Sequence, residues 1–452
     1  MKKTITYPIF VFCTLFSFTF LQTGWGQSWV LQNSNEDHPI MCVDAVDENI
    51  VWAGGWEGSI IRTLDGCENW SSITVPDTES FDFYSIAAIN ADTAYFAGSA
   101  FNSIDARVYK TTDGGANWEL QYQNTQPEAF FNSIAFYDAS NGIAISDQIN
   151  GGFLIITTDD GGATWTEVPA ANIPPAFPGE FSGFGDGGGT CLTLYGDSTA
   201  WFGTAYGTAS NDSTRVFKST DRGQNWTAVN TPYSVGAQFR GLSTIAFKDS
   251  LNGFAAGSDG IISTTDGGQS WSMVTSFDPP NFGVGTLVIV PETDGQVLMV
   301  STQEGTYYSE DGGGSWMNFG SGIFVGLSFV NPTTGWAANF FEPGQGGLIS
   351  RFEGNLATVV AGVELGDDLN LHHFPNPFKY TTTISYDLHK MARVKLHVLN
   401  ANGQVIETLA DGTMTSGRHQ VLFNGKDLSP GVYFYQLQVE GRSINQKMVL
   451  IK

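Results

Sequence analysis

The 452-residue chain is poor in the residues that usually carry catalysis and cross-linking. It has 6 histidines, and only His38 lies between residues 27 and 371. A single imidazole excludes multi-histidine metal centres and leaves histidine-based nucleophilic triads without room for error. Of its 4 cysteines, Cys13 lies in an amino-terminal apolar run, which leaves Cys42, Cys67 and Cys191. An odd, sparse set of this kind is no disulfide framework, although a single Cys42–Cys67 bridge stays open. No Gly-x-Ser-x-Gly elbow, phosphate-binding glycine loop or His-Glu-x-x-His run is present. Long apolar runs are missing too: the longest, residues 9–21, is too short to span a bilayer core of ~30 Å as a helix. Preceded by Lys2 and Lys3 and followed by Thr23-Gly-Trp-Gly26, it reads as a secretory signal over residues 1–26. No transmembrane span is then expected in the mature chain.

Positive charge is also scarce. Residues 27–371 hold 40 acidic against 9 basic side chains, a net of −31, whereas residues 372–452 hold 5 against 9, a net of +4. A surface so acidic repels phosphate backbones, so nucleic acid is not an expected partner. Scattered carboxylates permit Ca²⁺, but no spaced loop motif requires it, and no cofactor is called for.

Glycine is abundant, with 54 residues, and aromatic residues make up 13% of the chain. This mixture fits a turn-rich all-β protein. Internal repetition decides the architecture. A short motif recurs six times: Ser or Thr, any residue, Asp, then Trp five positions beyond the Asp. Its copies are Thr63-Leu-Asp65-Gly-Cys-Glu-Asn-Trp70, Thr111-Thr-Asp113-Gly-Gly-Ala-Asn-Trp118 and Thr158-Asp-Asp160-Gly-Gly-Ala-Thr-Trp165. The remaining copies are Ser219-Thr-Asp221-Arg-Gly-Gln-Asn-Trp226, Thr264-Thr-Asp266-Gly-Gly-Gln-Ser-Trp271 and Ser309-Glu-Asp311-Gly-Gly-Gly-Ser-Trp316. Successive Asp residues are 48, 47, 61, 45 and 45 positions apart. Upstream of each motif, and once more near Val325, lies an apolar strand, a polar turn and a second strand, as in Ser133-Ile-Ala-Phe-Tyr-Asp-Ala-Ser-Asn-Gly-Ile-Ala-Ile145. Each unit therefore reads as four strands with the Asp turn between the third and fourth.

Seven strand pairs against six motifs carry information. The seventh unit stops after Gly347-Leu-Ile-Ser-Arg-Phe-Glu-Gly354 with no Trp strand, yet Gln27-Ser-Trp29 matches Gln269-Ser-Trp271. The first mature strand is thus expected to supply the missing strand of the last unit and to close a ring. The motif resembles the Asp-box (BNR, sialidase-type) repeat of sialidases, sortilin-like ectodomains, xyloglucanases and photosystem II assembly-factor-like propellers. That resemblance implies a seven-bladed β-propeller over residues 27–355. Cys67 stands where the repeat usually has glycine, which predicts strain in that turn.

Asp65, Asp113, Asp160, Asp221, Asp266 and Asp311 are expected to cap turns, and their Trp partners to pack between sheets, rather than to form an active or metal site. The arginine cluster and Arg-Ile-Pro motif of sialidases are missing. The long third spacing holds Pro174-Pro-Ala-Phe177-Pro-Gly-Glu-Phe181-Ser-Gly-Phe184, a loop whose phenylalanines are candidates to grip a glycan or peptide; the alternative is a loop folded over the propeller.

Residues 356–371 read as a linker. Beyond them, His373-Phe-Pro-Asn-Pro-Phe378 opens a series of short alternating strands with Asn402-Gly403, Asp411-Gly412 and Asn424-Gly425 as turns, which predicts a small immunoglobulin-like sandwich. Together with Leu428-Ser-Pro-Gly-Val-Tyr-Phe434 and Lys447-Met-Val-Leu-Ile-Lys452, residues 372–452 resemble a type A sorting domain of the type IX secretion system. The resemblance implies handling by that machinery and a secreted or outer-surface location. The expected function is that of an exported binding or scaffold module for a glycan, peptide or protein. The alternative is a glycan hydrolase with paired carboxylates in the propeller cleft.

Overall fold

The structure, a computed structural model, describes residues 27–100, 105–183, 191–206, 213–233, 240–277, 283–339, 347–356, 371–388, 391–400, 405–439 and 442–451. The signal segment, Phe184, Gly187-Gly-Gly189 and the Asn402-Gly403 turn lie outside them.

Up to residue 356 the described strands form five four-stranded antiparallel sheets and one nine-stranded sheet, in which the strands of the fourth and fifth repeat units are joined. In the first, Ile40–Ala45, Val51–Gly55, Ser59–Thr63 and Ser71–Thr74 follow in sequence order from the innermost to the outermost strand. The innermost strand of the last unit, Phe324–Asn331, packs against Ile40–Ala45 and so closes the ring. The outermost strand of that last blade is Ser28–Gln32 from the amino terminus, paired antiparallel with Ile349–Glu353 so that Trp29 faces Phe352. The chain ends of the propeller are clasped within one sheet.

Neighbouring inner strands diverge too far to pair backbone to backbone, and their N–H groups need other acceptors. Short side chains supply them. Asp44 Oδ2 accepts from Ala88 N at 2.8 Å, Ser85 Oγ from Ile134 N at 3.0 Å and Thr244 Oγ1 from Leu287 N at 3.2 Å. Between the sixth and seventh units Ser301 Oγ accepts from Phe324 N at 2.7 Å, and across the closing seam Ser328 Oγ accepts from Ala45 N at 3.0 Å.

Seven apolar clusters fill the seams between blades, each drawn from two neighbouring repeat units. Six of them contain one motif tryptophan, and the seventh contains Trp29 in the same role. Trp29 therefore completes a set of seven. Cys42, Cys67 and Cys191 are free and buried, so the Cys42–Cys67 bridge is not formed. Burial pushes the Cys67 thiol up to about 11 and that of Cys191 up to about 12, so both stay protonated at neutral pH.

The fourth blade is irregular. Its second strand, Thr199–Tyr206, pairs at one end with Leu192–Tyr195 and at the other with Glu180–Ser182 and Arg240–Phe247, merging the fourth and fifth blades into one sheet.

The carboxy-terminal unit is a sandwich of a three-stranded sheet (His372–Phe374, Thr381–Leu388, Gly417–Asn424) and a four-stranded one (Val405–Met414, Ala392–Leu399, Gly431–Val439, Arg442–Leu450). Its core gathers Tyr386, Leu396, Val398, Phe423, Tyr435, Leu437 and Met448. The expected turn at Asp411-Gly412 is corrected: both residues lie inside Val405–Met414, opposite Lys395 and Val394. The Asp411 carboxylate lies 3.7 Å from Arg393 and 3.9 Å from Lys395, a pairing that suits a continuing strand.

Candidate functional site

The six motif turns share one geometry. In each, the Ser or Thr hydroxyl donates to Asp Oδ1 at 2.8–3.0 Å and accepts the backbone N–H two residues after the Asp. The carboxylate also takes both the backbone N–H and the side chain of the residue four positions on, as with Asn117 on Asp113 (2.8 and 2.7 Å) and Ser270 on Asp266 (2.9 and 2.6 Å). Donors on both oxygens hold the acids below the usual carboxylate range, to about 2 for Asp160 and Asp266. Their lone pairs are spent within the turn. The Asn, Ser or Thr just before each Trp was visible in the sequence and its capping role was not.

Two positions after each Asp fall in the left-handed region, which glycine occupies without cost. Cys67 sits there at φ 87° and Arg222 at φ 60°. Cys67 gains a contact in exchange, because Trp336 Nε1 donates to its sulfur at 2.6 Å. Comparable latches join other blades: Tyr95 Oη and Lys110 Nζ both donate to Gly161 O at 2.6 Å, and Trp201 Nε1 (3.0 Å) and Lys218 Nζ (2.8 Å) to Gly267 O. Where the residue preceding the motif Ser or Thr is basic, as at Lys110 and Lys218, it ties its blade to the next one.

The long insertion is folded down on the propeller as far as it is described. Glu180, with no exposed surface, receives two bonds from Arg215, through Nε at 2.9 Å and through a terminal nitrogen. Arg215 also donates to Pro175 O at 2.9 Å, and the Phe177 ring covers its guanidinium at 4.0 Å. A buried ion pair holds only when its remaining donors are satisfied, and Pro175 and Phe177 complete this one. Phe181 is half-buried in a strand opposite Ala205. Phe177 is therefore committed to Arg215, and among the described residues Phe177 and Phe181 do not form a free patch; Phe184 lies outside them.

His38, the lone histidine of the propeller, has Nδ1 3.2 Å from Glu36 Oε1 and Nε2 3.3 Å from Glu57 Oε2. Ser59 Oγ lies 3.1 Å from Nδ1 but also donates to Glu36 Oε1 at 3.1 Å. Both ring nitrogens face carboxylates, so this group ties the amino-terminal segment to the first blade and leaves no free base for Ser59.

Three further carboxylates near the inner strands are raised. Desolvation lifts Asp44 to about 6 and Asp147 to about 7, and lifts Asp82 above its usual range. Each is occupied: Asp82 accepts from Glu57 N (3.1 Å) and Tyr84 Oη (3.0 Å), and Asp147 Oδ1 from Ser182 N (3.1 Å), Ser182 Oγ (3.0 Å) and Asn132 Nδ2 (3.2 Å). Because the folded state holds a proton on Asp147 that the unfolded chain releases at ~4, this group makes stability fall as pH rises from ~4 to ~7. Asp147→Asn keeps the acceptor and removes the ionisation. In urea unfolding at pH 5 and pH 8, the variant should gain more on the wild type at pH 8 than at pH 5. An equal difference at both values would contradict the assignment.

A cavity of about 540 Å³ opens between the sixth and seventh blades. One wall is the clasp strand (Gln27, Ser28, Trp29, Leu31), another the inter-blade segment from Phe319 to Phe324, and the rest Thr306, Asn339, Leu348 and Ser350. None of these residues is charged. No sequence pattern marks this site, because its halves lie some three hundred residues apart.

Residues 372–452 match the secretion system C-terminal sorting domain family. No curated protein matches the chain. Among solved structures, the chain resembles YCF48 bound to a D1 peptide at a TM-score of 0.53 and 16% identity, over 74% of this chain and 99% of that one. It also resembles PorZ, a surface component of the type IX secretion system of Porphyromonas gingivalis, at a TM-score of 0.50 and 14% identity, over 93% of this chain and 60% of that one. A third likeness is to the GH74 xyloglucanase of Xanthomonas campestris, at 0.50 and 15%, over 93% and 68%. At these identities the likenesses show the fold, a β-propeller. The sorting domain directs the chain to the cell surface or the extracellular space, and no helix among the described residues is long and apolar enough to cross a membrane.

Proposed function

We propose that this exported propeller is a recognition module that binds a ligand outside the cell without transforming it. The observation that carries this reading is the cavity between the sixth and seventh blades, whose wall, among the described residues, holds uncharged aromatic and polar side chains and no acid or base. Its volume falls within the ~300–1,000 Å³ common for ligand sites. Hydrolysis of a glycosidic bond requires two carboxyl groups facing one substrate. Asp44, Asp82 and Asp147 instead accept hydrogen bonds from neighbouring backbone and side chains, which suits structural ties. The PorZ likeness offers a surface-exposed precedent for the fold, and the YCF48 likeness a peptide-binding one.

The test is an array of glycans and peptides probed with the full chain, followed by a product assay on every binder. Retention without new reducing ends or cleaved peptide supports a recognition module. Turnover that survives purification to homogeneity overturns it and redirects attention to a carboxylate pair.

A further inference from the structure

We infer that the cavity between the sixth and seventh blades receives the end of a neutral glycan, and that its occupant fastens the amino-terminal clasp. The inference rests on the recognition reading above and names its ligand class.

Charge comes first. The propeller region carries a net of −31, yet among the described residues the cavity wall has no charged side chain. An anionic ligand would be repelled on approach, and a cationic one would find no counter-ion in the wall. The wall therefore suits an uncharged ligand.

Polarity comes next. Trp29, Phe319 and Ile323 give the wall an apolar share. Beside them, the hydroxyls of Ser28 and Ser321 and the amide nitrogen of Asn339 have no hydrogen-bond partner among the described residues, while Ser350 Oγ already donates to Asn339 Oδ1 at 3.0 Å. A hydrocarbon ligand would bury those free groups unpaired, at a cost of ~1–3 kcal/mol each. A sugar ring meets both demands, since it has an apolar C–H face and hydroxyls around its edge.

Position supplies the consequence. Trp29 and its neighbours belong to the clasp strand, whereas Phe319 to Phe324 belong to the connection between the sixth and seventh blades. A ligand touching both walls binds only the closed ring. By linkage it must stabilise closure, by an amount that grows with its concentration over Kd.

The experiment uses the full chain with cello-, xylo-, manno- and chitotetraose, with tetragalacturonate as an acidic sugar and a neutral Gly/Ser/Ala hexapeptide as a peptide probe. Calorimetry gives affinity, and hydrogen exchange of residues 28–32 reports the clasp. Ser321→Trp, at an exposed position, fills the cavity without touching the core. The expected result is that at least one neutral tetrasaccharide binds, slows exchange in the clasp strand, and loses at least tenfold in affinity in the variant. A sugar that binds the variant as tightly as the wild type overturns this inference and leaves the recognition reading standing. Capture of the peptide or the acidic sugar, abolished by Ser321→Trp, overturns the ligand class alone. Binding of no probe removes both the inference and the cavity-based reading of function.

Discussion

Trp29→Ala should destabilise the propeller by about 3 kcal/mol, the lower end of the range for removing a packed tryptophan, since Trp29 is only half-buried. Its ring centroid lies 4.9 Å from that of Phe324, 5.7 Å from Phe329 and 5.6 Å from Phe352. Aromatic contacts of this geometry add to simple area burial. The larger consequence is topological. Without Trp29 the clasp strand loses its anchor, and Ile349–Glu353 becomes an unpaired edge that invites association with other chains. Equilibrium unfolding in urea measures the loss, and light scattering near the midpoint measures the association. Trp29→Phe should recover most of the stability. If Trp29→Ala unfolds with the wild-type midpoint, the ring is closed by something other than this strand.

That closure was legible because Gln27-Ser-Trp29 repeats Gln269-Ser-Trp271, and a ring with one strand missing must find it at the other end of the chain. The blades were legible for a similar reason: four strands and one turn recur with near-constant spacing, and each turn carries Asp, two left-handed positions and Trp. Repetition averages out local ambiguity. Features that occur once had no such support. Asp411-Gly412 has the composition of a turn, yet its position opposite Lys395 and Val394 keeps it in a strand. The insertion around Phe177 was readable either as a gripping loop or as one folded over the propeller, because Arg215, whose pairing with Glu180 holds it down, lies 35 residues beyond Glu180. The cavity depends on residues 27–31 meeting residues 306–350, a contact that no local pattern encodes.

Deleting residues 372–452 should abolish delivery to the cell surface and leave the propeller folded. The first half follows from the sorting domain, which those residues constitute. The second follows from where the cores lie. The seven inter-blade clusters contain no residue beyond Leu356, and the sandwich cluster is built from residues 371–450. Two cores that share no side chain can each survive loss of the other. Fractionation of cells should therefore show the truncated chain at least tenfold depleted from the surface and medium, while its unfolding midpoint after purification stays near that of the full chain. Leu396→Asp makes the same point without a deletion, because a carboxylate at this fully buried position destroys the sandwich and with it the address. Wild-type surface levels for either variant would mean that the export signal lies elsewhere in the chain. Retention inside the cell together with a lost propeller transition would mean that the two units do not fold independently.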